Sequence, residues 1–214
     1  PTQDLDGALA DVERAIALAP THISHYQLTL EPNTVFAANP PPLPDDDHAW
    51  AMQEACEARL AAAGYGQYEI SAYAQPGRRC AHNLNYWQFG DYLGIGAGAH
   101  GKLSDAISGR VHRRWKTRSP LAYMGERGGA GRIGGDGVVA AAELPFEYML
   151  NALRLIGGVP MADFPARTGL APETIAATLT AARDRGWLHG DVQRLQTTAL
   201  GQRFLNDVIA SFLD

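Results

Sequence analysis

Between Cys80 and Gly101 the chain reads CAHNLNYWQFGDYLGIGAGAHG, and its residue types suit one kind of chemistry. His82 carries an imidazole that can ligate iron or donate to a carboxylate, and Tyr86 and Trp87 supply flat faces on which a ring system can stack. Positions 82 and 86 are four apart, so on a helix both side chains leave one face, with Trp87 one residue further round. GIGAGAHG adds bare backbone that a flat ligand or another chain segment can approach closely. It lacks the full spacing and βαβ setting of a dinucleotide fingerprint. The residues alone leave two readings open: a ring-binding site, or an aromatic plug between sheet and helix in which His82 donates to a backbone carbonyl.

Other candidates carry less. Cys80 and His82 form a C-x-H pair, but no second pair stands at zinc-site spacing. Cys56 shares the apolar side of a helix with Met52 and Leu60 and reads as core. His22, His25, His48 and His189 read as structural or exposed.

The elements that must position these residues follow from periodicity and punctuation. Asp4 caps a helix on which Leu5, Leu9, Val12 and Ile16 recur at helical spacing. HISHYQLTL reads as a strand, and Asp45 to Asp47 open a second helix closed by Gly64. YGQYEIS is a short strand, CAHNLNYWQF gives one or two helical turns after Asn83, and DYLGIGAGA reads as a buried strand. This alternation is the grammar of a parallel α/β sheet with too few strands to close a barrel. Beyond RVHRRWKTRSP, GERGGAGRIGGDGVV reads as a glycine-rich connector. Helices over AAELPFEYMLNALRLIGG, APETIAATLTAARDRG and ALGQRFLNDVIASFLD then surround a small hairpin at His189-Gly190-Asp191, a winged-helix-like arrangement.

Charge is segregated along the 214 residues: 2 basic and 11 acidic in 1–77, 10 and 3 in 78–132, 6 and 9 in 133–214. The basic middle attracts carboxylate or phosphate, whereas the acidic winged segment argues against nucleic-acid binding. Only two cysteines and no long apolar run point to a reduced, cytoplasmic setting without a membrane span. A helix beginning almost at Pro1 suggests a chain entered part-way.

HISHYQLTLEPNT, PPLPDDDHAWAM and GYGQYEISAYAQPGRRCAHNLNYWQFGDYLGIGAGAHGK closely resemble the HemW haem chaperones, radical SAM relatives of the oxygen-independent coproporphyrinogen III oxidases. LGQRFLNDVIASFL is similar to their C-terminal domain. HNLNYW followed by FGDYLGIGAGAHG favours the chaperones over the oxidases. The resemblance implies an α/β fold in which residues 1–117 are the C-terminal βα units of a partial TIM-like radical SAM barrel and 118–214 a helical winged-helix-like domain. It places His82, Asn83, Tyr86 and Trp87 at a haem. It places Gly94, Ile95, Gly96 and Ala97 beside S-adenosylmethionine, with Gln27, Tyr68 and Glu69 as further pocket residues. It implies delivery of haem to respiratory haem enzymes, with peripheral membrane association through those partners. The alternative is radical decarboxylation of coproporphyrinogen III. Arg78, Arg79, Arg113 and Arg114 are expected to pair with haem propionates.

The chain departs from that family in lacking a C-x-x-x-C-x-x-C motif. Three thiolates at that spacing hold the [4Fe–4S] cluster, and Cys56 and Cys80 cannot replace them. The cluster and S-adenosylmethionine chemistry are therefore expected in the intact protein only, of which this chain reads as the C-terminal part.

Overall fold

The computed structural model describes residues 2–105, 107–126 and 129–213. It is mixed α/β and forms two compact units, residues 1–80 and 81–214.

The first unit opens with α1 (Leu5–Ala17), whose Asp4 cap accepts from the Gly7 amide at 2.8 Å. β1 (His22–Ser24) follows, then a short α2 (Val35–Ala38) and α3 (Asp46–Ala62), capped by Asp45. β2 (Gly66–Glu69) and β3 (Ala72–Ala74) form a hairpin. The sheet order is β1-β3-β2, and β3 is antiparallel to both neighbours. α1 and α3 cover one face around Val12, Met52, Cys56, Leu60, Tyr65 and Tyr73. Cys56 is core as expected, and burial pushes its thiol upward, Glu57 adding to the effect.

The parallel grammar read from the sequence is corrected here. β1 and β2 run in the same direction but do not touch, because AYA returns between them as β3. HISHYQLTL is a strand only over its first three residues. The His25 amide bonds the Ser71 carbonyl at the hairpin's turn (2.8 Å), and past that turn β3 offers nothing further to pair with.

The second unit contains α4 (Ala81–Trp87), β4 (His100–Ser104), β5 (Val111–Lys116), α5 (Pro120–Gly125) and β6 (Ile133–Val138). α6 (Leu144–Ala152), β7 (Val159–Pro160), α7 (Asp163–Thr168), α8 (Ala176–Asp184), β8 (Arg194–Leu195), α9 (Ala199–Arg203) and α10 (Leu205–Ala210) complete it. β4-β5-β6 is an antiparallel meander, with His100 opposite Trp115 and Trp115 opposite Gly135. The small wing closes through a Leu188–Thr197 bridge, and β8 turns to pair with β7. No sheet among the described residues closes into a barrel.

Two further expectations differ from the structure. DYLGIGAGA is not a strand: Tyr92 bridges Lys102, and the residues between turn back with φ of +110° at Gly96 and +70° at Gly98. The glycine-rich connector is in large part β6, hydrogen-bonded to β5; Arg127 and Gly128 of it lie outside the described residues. β6 pairs with β5 across the expected division between 117 and 118, and the compact units are residues 1–80 and 81–214.

Candidate functional site

α4 runs through HNLNYW without a glycine or proline and stops where the chain reverses over itself. The Gly90 amide bonds the Asn85 carbonyl at 2.7 Å, and a Cβ on Gly90 would lie 2.7 Å from that same main-chain oxygen, so glycine is required where the chain leaves the helix. Asn85 Nδ2 donates in turn to the Asp91 carbonyl (2.9 Å).

The helix brings His82 and Tyr86 together as their spacing predicts. Their ring centroids are 4.8 Å apart, edge to face. Tyr92, from beyond the helix, continues the row with its ring centre 4.3 Å from that of Tyr86. His82 is exposed, while Asn83, Tyr86, Trp87 and Tyr92 are half-buried. Trp87 carries the Arg154 guanidinium over its face at 4.5 Å. Its indole Nε1 is buried with no hydrogen-bond partner among the described residues. The aromatic plug exists, but other side chains form it: Phe89, Tyr148 and Phe164 are all buried and meet edge to face at 5.5 and 5.4 Å. The imidazole of His82 thus belongs to a partly open row of rings beside the plug, not to the plug itself.

The loop after α4 is held by a buried lysine. Lys102 Nζ donates to the Phe89 carbonyl and to Asp91 Oδ1, both at 2.9 Å, and to Ser104 Oγ at 3.2 Å. Burial holds the lysine below its ordinary range and Asp91 only partly restores it, since the lysine side chain is 2% exposed and the aspartate 40%. Burial raises Asp91, but hydrogen bonds from the Ser104 amide, Lys102 and the Ser104 hydroxyl outweigh it and leave the carboxyl low. Within this frame Gly94 is pressed against the backbone of His100, where a Cβ would meet the carbonyl oxygen at 2.4 Å. Ile95 points outward, 85% exposed; the Gly96 amide already donates to Tyr123 Oη (3.2 Å), and Ala97 is half-buried.

Two of the four arginines expected to meet propionates have carboxylate partners of their own. Arg113 donates to Tyr92 Oη at 2.7 Å and is ion-paired with Glu147, and Arg114 is paired with Asp136 at 3.1 Å. Arg78 and Arg79 are exposed in the first unit, the latter over the Tyr68 ring at 5.8 Å. Gln27 is exposed and lies past the end of β1. Tyr68 and Glu69 are buried on β2, where Tyr68 Oη shares a 2.8 Å hydrogen bond with His22 Nε2. Glu69 Oε1 accepts from Ser71, and its Oε2 has no partner among the described residues. That oxygen suits a donor-bearing ligand, so Glu69 fits a polar cofactor such as S-adenosylmethionine.

The described residues do not fit an iron–sulfur cluster. Cys56 is wholly buried in the core, and no three His, Cys, Asp or Glu side chains gather as metal ligands among them. Among the described residues no helix is long and apolar enough to cross a membrane. Sequence reasoning passed over Tyr92, Asp91, Lys102 and Arg154. The signal for the Asp91–Lys102 pair was two opposite charges bracketing an otherwise uncharged glycine-rich run.

Comparison with known proteins finds relatives along the whole chain. Residues 139–204 match the HemN C-terminal domain family. Over the whole chain the sequence is 46% identical to heme chaperone HemW of Escherichia coli (strain K12), covering 55% of that protein. It is 44% identical to heme chaperone HemW of Haemophilus influenzae, again over the whole chain and 54% of the relative. The Mycobacterium tuberculosis heme chaperone HemW is 33% identical, with 53% of its length covered. The chain spans about half the length of the curated relatives it matches. Among solved structures it is similar to the radical SAM coproporphyrinogen III oxidase HemN from Escherichia coli, with a TM-score of 0.74 and 16% identity over 99% of this chain and 52% of that one.

Proposed function

We propose that the chain is the C-terminal portion of a HemW-type haem chaperone and that it binds haem through α4. The resemblance that HNLNYW and FGDYLGIGAGAHG carry extends over the whole chain, at 46% identity to a heme chaperone. The fold shared with a coproporphyrinogen oxidase at 16% identity carries architecture alone.

The single observation behind the assignment is the exposed imidazole of His82, set edge-on to Tyr86 on one helical face outside the buried plug. An imidazole next to an aromatic wall suits a planar iron porphyrin: the nitrogen can take an axial position and the rings pack the macrocycle. Asn83 and Trp87 complete the motif from the same two turns, with Trp87 fixed by Arg154. In the intact protein, Gly94, Ile95, Gly96 and Ala97 would lie beside S-adenosylmethionine, and Gln27, Tyr68 and Glu69 are cofactor-binding candidates of the first unit, taken by themselves. The [4Fe–4S] cluster, which reduces that cofactor in radical SAM proteins, would be held by cysteines that this chain does not contain. Delivery of haem to respiratory haem enzymes in the cytoplasm or at the membrane surface is the finer part of the proposal.

Haem titration tests it. His82→Ala weakens haem binding by roughly tenfold or more, about 1.4 kcal/mol, and moves the Soret band while circular dichroism stays unchanged. Wild-type affinity and spectrum in a folded variant would show that the histidine is structural. Conversion of coproporphyrinogen III by the intact, reduced protein given S-adenosylmethionine would replace the chaperone reading with the oxidase.

A further inference from the structure

We propose that Tyr92 is a further ring of the porphyrin site, extending the face begun by His82 and Tyr86, and that Arg113 and Glu147 hold it in position. This rests on the haem-binding reading of α4.

Tyr92 is fixed at both ends. Its backbone exchanges two hydrogen bonds with Lys102, at 2.9 and 3.0 Å, and that lysine is itself anchored by Phe89, Asp91 and Ser104. Its phenol oxygen accepts from Arg113 at 2.7 Å, and Arg113 is ion-paired with Glu147 on α6. Between these anchors the ring lies with its centre 4.3 Å from that of Tyr86, in the same row as the His82 imidazole.

A tyrosine that served only as packing would be expected inside the plug. Phe89, Tyr148 and Phe164 occupy that place and are buried to 2% exposure or less. Tyr92 stays half-buried outside them. A half-open ring held by a guanidinium is pre-organised, so a flat partner stacks on it without first ordering the side chain. The contact expected is with the apolar macrocycle, not with the iron, which separates its role from that of His82.

Two porphyrins distinguish the roles: haemin, and metal-free protoporphyrin IX, which offers the same flat face without an axial site. Tyr92→Leu weakens both by about tenfold, a step equivalent to the stronger aromatic contacts. His82→Ala weakens haemin much more than the metal-free ring. Tyr92→Phe keeps the ring but gives up the Arg113 hydrogen bond, so it weakens both porphyrins by about threefold, between wild type and Leu; unchanged affinity in Phe overturns the positioning role of Arg113 and Glu147. If Leu disturbs the circular dichroism, Tyr92→Met fills the volume without a ring and takes its place. Wild-type affinity in a folded Leu or Met variant overturns the proposal, as does a tenfold loss in Tyr92→Phe. If the wild-type protein binds neither porphyrin, the haem reading itself fails; if it binds both and only Tyr92 is silent, the reading stands without this residue.

Discussion

Residues 94–101 lead into the first strand of the antiparallel meander and residues 133–138 are its last strand; both are glycine-rich, yet their glycines answer opposite demands. In GIGAGAHG the crowding comes from backbone. Gly94 sits where a Cβ would strike the His100 carbonyl at 2.4 Å, and Gly96 and Gly98 turn the chain at positive φ. In IGGDGV every residue is extended and the severest crowding comes from a side chain, since a Cβ on Gly135 would fall 2.2 Å from the Trp115 ring. The first stretch needs glycine for its path; the second needs it for clearance beneath an indole that also stacks on His100 at 6.3 Å. Glycine density therefore marks close approach, and the approaching partner decides what the segment becomes.

The largest effect expected from this contrast is at Gly94. Gly94→Ala should destabilise the protein by about 3 kcal/mol or more, because the atom in the way is main chain and the loop is tied down on both sides by the Tyr92–Lys102 bridge. Thermal unfolding measures it. A shift of less than a degree or two would mean that the loop yields and that the pinned-loop description is wrong.

Next comes the tie itself. Lys102→Met removes a buried ammonium with three oxygen partners and should cost about 1–3 kcal/mol, below the full penalty for a broken buried pair because Asp91 is 40% exposed and can be hydrated. The pH dependence has a defined sign. Asp91 titrates below its ordinary 3.8 when folded, so its contribution is complete above 3.8 and is lost as pH falls through the lowered value. Lys102 also titrates below its ordinary 10.5, so stability rises with pH from that lowered value up to 10.5. Asp91→Asn should flatten the acid limb, and Lys102→Met the alkaline one. Equal slopes in wild type and variants, followed by denaturant midpoint against pH, would remove this pair from the account of the loop.

Much of the frame was legible because it rests on local rules. Asp4 and Asp45 cap the helices expected of them, Cys56 lies in the core with Met52 and Leu60, and the four-residue spacing of His82 and Tyr86 becomes a ring contact. What was not legible depends on partners distant in sequence. DYLGIGAGA has a strand's composition but folds back because Tyr92 pairs with Lys102. RIGGDGV has a linker's composition but becomes a strand because β5 presents an unpaired edge. Tyr92 joins the ring row only after α4 has reversed at Gly90, and no periodicity connects positions 86 and 92. AYA carries no strand signal of its own, because three residues are too few to show alternation.

The smallest effect sharpens the comparison most, because it separates two glycines of one strand. Gly137 lies opposite Arg113, two residues beyond Gly135, with ordinary φ and nothing within 4 Å of an added Cβ. Gly137→Ala meets no atom and narrows the unfolded chain's freedom, so it should leave stability unchanged or raise it by up to about 0.5–1 kcal/mol. Gly135→Ala must displace the Trp115 ring and should cost about 1–2 kcal/mol, with a change in tryptophan fluorescence as the indole leaves His100. The two variants differ by position alone, so propensity contributes the same small gain to both and the difference isolates the clearance under the indole. Equal effects at 135 and 137 would mean that β6 is a glycine-tolerant strand with no specific clearance. In that case the strand that carries Arg113 and the Tyr92 tether would be held by its pairing with β4 and β6 and by Glu147, with no contribution from a fit beneath its tryptophan.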